Sequence, residues 1–198
     1  MVRRAKRPAP RNPRGARWGR RAALAAAAVA GACALYLGWL PDPSSLKTKP
    51  PKTTAYIELR RSQAEDGGKK FRLAWTYVPS ERIAQSLKDA VVMSEDGSFW
   101  RHRGVDWEAV DEAVRVNLAK GRFAYGGSTI TQQLARNLYL SPSKNPLRKA
   151  KEALIARRLE RTLGKRRILE LYLNIAEWGP GVFGCEAAAR RYFGKSAS

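Results

Sequence analysis

Hydrophobic and polar positions divide the chain into an apolar segment near its start and a longer part with helical periodicity. Residues 22–40 are nineteen consecutive positions without a charge, which as a helix span roughly 28 Å at ~1.5 Å per residue. Two short apolar runs, at 54–57 and 71–78, flank a Gly-Gly pair and predict a small hairpin. From residue 79 onward apolar residues recur every three or four positions. We therefore expect a mainly α, all-helical domain over 54–198.

Six helices are predicted in the periodic part, and the first four have a start or stop signal such as a capping Ser or Asp, or a Gly that ends the helix. In the first of them Glu95 continues the apolar face, and in the second Trp107, Val110 and Val114 are predicted to face inward. Their predicted bounds are Ser80 to Glu95, Asp106 to Gly121, Ser128 or Thr129 to Leu138, Asn145 to Gly164, Lys165 to Asn174, and Val182 to Tyr192.

The charges around the apolar segment favour a single transmembrane helix at 22–40. Nine cations and no acid lie in 1–21, so by the positive-inside rule this basic tail is cytoplasmic and the domain lies outside. Residues 41–53, rich in Pro and Lys, read as a linker. A cleaved signal peptide, a buried soluble helix and a lipid-modified Cys33 are the alternatives for the segment, and a nucleic-acid-binding tail is the alternative for 1–21.

The whole chain is strongly basic, with 38 Lys+Arg against 17 Asp+Glu and a net charge of +21. Such an excess indicates an anionic partner, of which phosphate is the commonest. The two cysteines, Cys33 and Cys185, are too few and too far apart in the pattern for a disulfide framework.

A first candidate cluster, Glu95-Asp96 followed by Phe99 and His102, contains the only histidine of the chain. Carboxylates at helix ends are usually solvated. However, because Glu95 continues an apolar face, we expect it in a partly dry wall, where a carboxylate becomes a better proton acceptor and a candidate general base.

Two further clusters point to an anion. Gly126-Gly127 runs into a helix start at Ser128-Thr129, where free backbone N–H groups suit phosphate, although an ordinary capped turn has the same pattern. Arg148, Lys149 and Glu152 are three and four residues apart and share a helix face. That face is either a solvated set of ion pairs or a carboxylate beside phosphate-binding cations.

In this order and spacing the clusters resemble the peptidoglycan glycosyltransferase (transglycosylase) family over residues 79–195. Matching its motifs are Glu95, Asp96, Phe99, His102 and Gly104 (E-D-x-x-F-x-x-H-x-G), Gly126, Ser128, Thr129, Gln132 and Gln133 (G-x-S-T-x-x-Q-Q), Arg148, Lys149 and Glu152 (R-K-x-x-E), and 165–174 (K-x-x-I-L-E-x-Y-L-N). Residues 174–195 are similar to the monofunctional branch of the family.

The resemblance implies a lysozyme-like all-α glycosyltransferase domain with catalytic Glu95 and Glu152. The substrate-binding residues that it implies are Asp96, Phe99, His102, Ser128, Thr129, Gln133, Arg136, Asn137, Arg148 and Lys149. Arg136 stands where the family usually has Lys, which keeps the charge but makes it a planar fork. The family domain usually continues past the position of Ser198, so the resemblance also implies a domain truncated at its C-terminus.

The implied activity is polymerisation of lipid II, by inverting transfer from a polyprenyl-pyrophosphate donor to a sugar hydroxyl in cell-wall biosynthesis. Expected partners are lipid II, the growing glycan strand, the bacterial inner membrane, and other cell-wall synthesis and division proteins, with no nucleic acid. No organic cofactor is expected, Mg²⁺ or Mn²⁺ is the candidate metal, and no residue set is assigned to it. A lysozyme-like wall hydrolase and a non-catalytic basic membrane protein are the alternatives.

Overall fold

The computed structural model describes residues 13–122, 126–143 and 145–198. The chain divides into two compact units, Met1–Trp39 and Leu40–Ser198. Helix α1, Pro13–Gly38, lies in the first unit. Among the described residues, no helix combines the length and the apolar character that crossing a membrane requires. The membrane segment at 22–40 stays a prediction, and residues 1–12 of the basic tail lie outside the described part.

The second unit is mainly helical, as predicted, but it also contains a small sheet. Its helices are α2 (Ala55–Asp66), α3 (Gln85–Glu95), α4 (Trp107–Lys120), α5 (Ile130–Tyr139), α6 (Pro146–Leu163), α7 (Lys165–Ile175) and α8 (Cys185–Phe193), with short 3-10 helices at Ser44–Lys47 and Ser80–Arg82. Strands β1 (Ala74–Trp75), β2 (Glu177–Gly179) and β3 (Val182–Phe183) form the sheet in the order β1-β3-β2.

Helix α5 is central to the core and packs most extensively against α6 and α7. The side chains that fill this interface recur at helical spacing and are buried: Ile130, Leu134, Ile155, Leu159, Ile168, Leu171 and Ile175. Burying each such side chain contributes about 1.5–3 kcal/mol. The three helices therefore form the centre of the core, and they carry the motif residues between Gln132 and Asn174.

The predicted hairpin at 54–78 is wrong. Thr54 is a helix cap, because its side-chain oxygen accepts a hydrogen bond from the Ile57 amide at 3.1 Å, and α2 follows. The strand β1 pairs in parallel with β3, matching Ala74 to Val182. A run of only four apolar residues fits a strand or the start of a helix equally well, so the capping threonine was the deciding signal.

Several other boundaries differ from the prediction. The last helix starts at Cys185 because Val182 and Phe183 form β3. In α4 the buried residue is Ala113, whereas Trp107 and Val114 are exposed. Residues 41–53, predicted as a linker, are part of the second unit, and Leu46 is buried in its main core.

Candidate active site

Glu95 lies at the C-terminal end of α3 and is exposed, so its expected position in a partly dry wall is wrong. The helix ends there and the chain turns away, which leaves the carboxylate in solvent. Glu95 Oε2 accepts a hydrogen bond from Gln133 Nε2 at 2.9 Å. The amide of Gln133 is in turn oriented by the Tyr172 hydroxyl, which donates to Gln133 Oε1 at 3.1 Å.

The Tyr172 hydroxyl is the first donor in this chain of hydrogen bonds, so Gln133 accepts from Tyr172 and donates to Glu95. Burial raises the pKa of its hydroxyl above the ordinary value, the charge of Glu95 raises it further, and Arg136 opposes the shift. The phenol therefore stays protonated and remains a donor to Gln133. Sequence reasoning missed Tyr172, since nothing in the motif spacing indicated a contact across 39 residues.

Asp96 and His102 are bonded to each other and brace the loop after α3. His102 Nε2 lies 2.9 Å from Asp96 Oδ2, and the Gly104 amide donates to His102 Nδ1 at 3.2 Å. Because Nδ1 accepts, the hydrogen of the neutral ring belongs on Nε2 and points at Asp96. Asp96 also accepts from the Ile130 amide at 2.9 Å, which ties the loop to α5. A contact of either residue with substrate stays a prediction.

Phe99 and Thr129 are buried next to the site, where one packs in the core and the other caps α5. Phe99 is 0% exposed, and the Lys165 ammonium lies 4.4 Å from its ring centroid. Thr129 is also buried, and it forms a capping box with Gln132 at the start of α5. Both side chains are buried and serve in packing and capping, and a contact of either with substrate stays a prediction. The Thr-x-x-Gln spacing was a recognisable signal of that cap.

The start of α5 proves to be a capped turn. The Ile130 amide is bonded to Asp96, and the Gln132 amide donates to Thr129 Oγ1 at 3.1 Å, so two of the amides expected to face an anion are already used. Gly127 lets this turn approach α4 closely, since a Cβ there would lie 3.0 Å from the Ala109 carbonyl oxygen.

The R-K-x-x-E residues form a buried ion cluster rather than a solvated face. Glu152 is 0% exposed on α6, and its two carboxylate oxygens pair separately with Arg148 Nη1 and Lys149 Nζ. Lys149 Nζ also donates to Ser128 Oγ at 2.7 Å. The cluster therefore joins α6 to the turn before α5 and brings cationic groups to that turn.

Arg136 and Asn137 lie on the last turns of α5. Asn137 is buried. Arg136 is half-buried, and its Nε is a buried donor without a hydrogen-bond partner in the described part of the chain. Buried donors normally have partners, so this guanidinium is well suited to an anion that approaches it.

A cleft of about 320 Å³ lies beside Glu95. It is lined by the end of α3 with Glu95, the loop that follows, the start of α4, and the turn that carries Ser128. On its wall the Ser98 hydroxyl and the Ala109 amide hold the pKa of Asp106 below its usual range. Larger cavities of about 630 and 600 Å³ lie elsewhere. His102 lines the second of them, but neither cavity is lined by Glu95 or Glu152.

The donor set at Glu152 does not fit a divalent metal ion. Both of its oxygens already face cations, and a third positive charge there would be repelled. Across residues 13–122, 126–143 and 145–198, no three His, Cys, Asp or Glu side chains converge on a common point. Dependence on Mg²⁺ or Mn²⁺ stays a prediction that these residues do not support.

Fold and site together define a mainly helical domain in which a solvent-accessible carboxylate lines a cleft and a lysine reaches Ser128 on the cleft wall. The transglycosylase family model matches residues 67–198, and the chain belongs to that family. The resemblance inferred from the motifs is thereby confirmed.

Several relatives share the name biosynthetic peptidoglycan transglycosylase. The protein from Aromatoleum aromaticum is 52% identical over 148 residues, which cover 75% of this chain and 64% of that protein. The protein from an Azoarcus species is 48% identical over 183 residues, covering 92% of this chain and 78% of its own length. The protein from Nitrosospira multiformis is 48% identical over 148 residues, with coverage of 75% and 64%. The chain thus spans a little under two thirds of two of these relatives.

Proposed function

We propose that this chain is a peptidoglycan glycosyltransferase that polymerises lipid II into glycan strands. The observation that carries the proposal is the buried Glu152 between Arg148 and Lys149, with Lys149 reaching Ser128 on the wall of the Glu95 cleft. A candidate general base lines the cleft, and a cationic group reaches Ser128 on its wall. Transfer from a pyrophosphate-linked sugar needs both kinds of group. The family assignment and the names of the relatives support the same chemistry.

In the proposed reaction Glu95 is the general base. Its exposed carboxylate takes the proton from the hydroxyl of the acceptor sugar, and that oxygen attacks the anomeric carbon of the donor. Gln133 donates to one carboxylate oxygen and thereby fixes the direction of the other. A bond formed from the face opposite the departing phosphate gives inversion at the anomeric carbon.

The departing pyrophosphate needs charge neutralisation more than a proton. We assign that role to Lys149, Arg148 and Arg136, because Lys149 is partly exposed beside Ser128 and the Arg136 Nε has no partner among the described residues. Charge-assisted hydrogen bonds to phosphate are roughly twice as strong as neutral ones. In this scheme Glu152 holds two of the cations in place, and no step passes through a metal ion.

The direct test is incubation of the purified full chain with labelled lipid II, followed by gel separation of the products. Long glycan strands are the expected product. Cleavage of finished cell wall without strand formation would instead identify a hydrolase, and no change in either substrate would leave only a binding protein.

We further propose a single-pass protein of the bacterial inner membrane, with residues 1–21 cytoplasmic and the domain periplasmic. The uncharged run at 22–40 behind nine cations supports it, and a lipid-linked substrate places the enzyme at a bilayer. Protease added to spheroplasts should digest the domain. Protection of the domain together with cleavage of 1–21 would reverse the orientation.

A further inference from the structure

Two cavities outside the catalytic cleft share one wall rich in arginine. They measure about 600 and 480 Å³, and both are lined by Arg101, Arg103 and Arg157; Arg161 lines the larger of the two. We call these four side chains and the surface between them the arginine groove. None of the four belongs to the site described above.

The sequence builds the groove from two elements. Arg157 and Arg161 are four residues apart on α6 and so share a face. The loop with Arg101 and Arg103 is held against α6 by Gly104, which has φ +94°; a Cβ there would lie 3.0 Å from the carbonyl carbon of Ala156. This close approach sets the loop arginines opposite the helix arginines.

The groove carries an uncompensated positive charge. All four arginines are exposed, and none pairs with a carboxylate in the part of the chain that the structure describes. Of the acids that line it, Glu160 is paired with Lys165 at 2.6 Å, which leaves Asp106, the cap of α4, and the exposed Glu108 against four arginines. Like charges held together repel, so the arrangement favours an anion between them.

Tryptophans stand at the edges of the groove. Trp100 lines the larger cavity and is 54% exposed, and Trp107 lines the smaller and is 67% exposed. Neither ring is needed to fill the core. Indole rings beside cationic side chains are characteristic of surfaces that contact the interfacial zone of a bilayer, where rings and phosphates lie at the same depth.

We propose that the arginine groove binds the phosphate headgroups of anionic phospholipid and so docks the domain on the bilayer surface. Guanidinium forks match phosphate oxygens bidentately. The inference rests on the proposed placement at a membrane. Its test measures headgroup contact without turnover, so failure of the groove and failure of the glycosyltransferase proposal are distinguishable.

The first experiment maps arginine accessibility in the full chain reconstituted in vesicles. Phenylglyoxal modifies free guanidinium groups, and peptide mass spectrometry reports the rate at each position. Phosphatidylglycerol in a phosphatidylcholine vesicle should slow modification of Arg157 and Arg161 about fivefold, the effect expected of one cation–headgroup contact. Exposed Arg191 on α8 is the internal control. Equal slowing at Arg191 would mean general charge attraction, and would overturn the groove.

Competing anions in the same assay identify the source of the phosphate. Inorganic phosphate or pyrophosphate added to phosphatidylcholine vesicles should leave Arg157 reactive. Protection equal to that by phosphatidylglycerol would indicate a site for soluble phosphate. Stronger protection by a short oligonucleotide would indicate a nucleic-acid surface. Either result would overturn the lipid assignment.

A matched pair of double variants provides the second measurement. Arg157→Gln with Arg161→Gln should reduce the preference of the full chain for phosphatidylglycerol over phosphatidylcholine vesicles by roughly 25-fold. Arg82→Gln with Arg191→Gln removes the same charge from exposed positions outside the groove and should reduce it much less. Equal losses in the two doubles would show that only net charge matters and would contradict the proposal.

Discussion

The two motif glutamates occupy opposite environments. Glu95 ends a helix, is exposed, and receives a single neutral hydrogen bond from Gln133. Glu152 lies mid-helix, is fully buried, and is enclosed by Arg148 and Lys149. The first carboxylate is free to meet a substrate hydroxyl, whereas the second has both oxygens occupied by cations. We therefore propose different functions for these two chemically identical side chains, because their surroundings differ.

The difference teaches that burial decides which carboxylate can exchange a proton with substrate. A buried carboxylate in an ion cluster holds its partners in place, and removing one member of the cluster leaves uncompensated charge behind. An exposed carboxylate contributes little to stability and is available to react with a substrate. Each substitution below tests one side of this contrast.

Glu95→Gln should have the largest effect on turnover. The amide keeps the size and some hydrogen bonding of the side chain but cannot accept the proton, and general-base catalysis is typically worth ~10²–10⁴-fold. We expect kcat for lipid II polymerisation to fall by that factor while donor analogues still bind and the unfolding temperature is unchanged. Glu112→Gln, an exposed glutamate on α4, is the control. Near-normal polymerisation by the Glu95 variant would show that Glu95 is not the general base.

Lys149→Ala should have the second-largest effect on turnover. It removes the cation that connects Glu152 with Ser128, and lipid II turnover should fall about 10- to 1000-fold, the range of a charge-assisted contact that stabilises the leaving pyrophosphate. Lys69→Ala removes an exposed lysine on another surface and should leave the rate unchanged. An unchanged rate in the Lys149 variant would show that the ion cluster has only a structural role.

Glu152→Gln should reduce turnover less, by about 10- to 100-fold, but should destabilise the fold more than any other variant here. Breaking a buried ion pair typically costs about 3–5 kcal/mol. Glu58→Gln breaks the exposed pair with Arg61 at the same i,i+3 spacing and should cost at most about 1 kcal/mol. Thermal unfolding and polymerisation rates of both variants check this.

Adding a divalent metal ion to the Glu152→Gln variant gives a further test of the role of Glu152. Since the oxygens of Glu152 face cations, added Mg²⁺ or Mn²⁺ should not restore the Glu152→Gln variant. Rescue by metal would show that this carboxylate is a metal ligand. A Glu152 variant less active than the Glu95 variant at every metal concentration would reverse the two roles.

Much of this site could be predicted from sequence because its groups are local in the chain. The spacing of Arg148, Lys149 and Glu152 fixes a shared helix face whatever the rest of the fold does. Whether that face is wet or dry depends on packing by α5 and α7, which periodicity could not supply. For Glu95 the extrapolated apolar face failed at the last residue of its helix, where the chain turns away.

The fold shows the same division between local and distant information. Long periodic helices such as α6 were predicted within a residue or two because capping signals and period agree. The small sheet was missed because its strands are only two or three residues long. β1 also pairs with β3 across about a hundred positions, a separation that short apolar runs do not encode. The contact of Tyr172 with Gln133 was out of reach for the same reason.

Tyr172→Phe should have the smallest effect, and it tests how Glu95 is oriented. The change deletes the donor to Gln133 Oε1, so the amide can flip and present its oxygen to Glu95. One neutral hydrogen bond is worth about 1 kcal/mol, so kcat should fall about fivefold with KM changed less. Since burial and the charge of Glu95 raise the pKa of Tyr172, the donor persists above the ordinary pH of tyrosine ionisation, and ionisation of Tyr172 should cause no loss of rate near pH 10. Tyr139→Phe on α5 is the matched control, because burial raises the pKa of that hydroxyl to about 12 but it stands outside the Gln133 chain. Equal losses in the two variants, or an alkaline loss of wild-type rate that the Tyr172 variant lacks, would show that this tyrosine does not position the base in the way inferred.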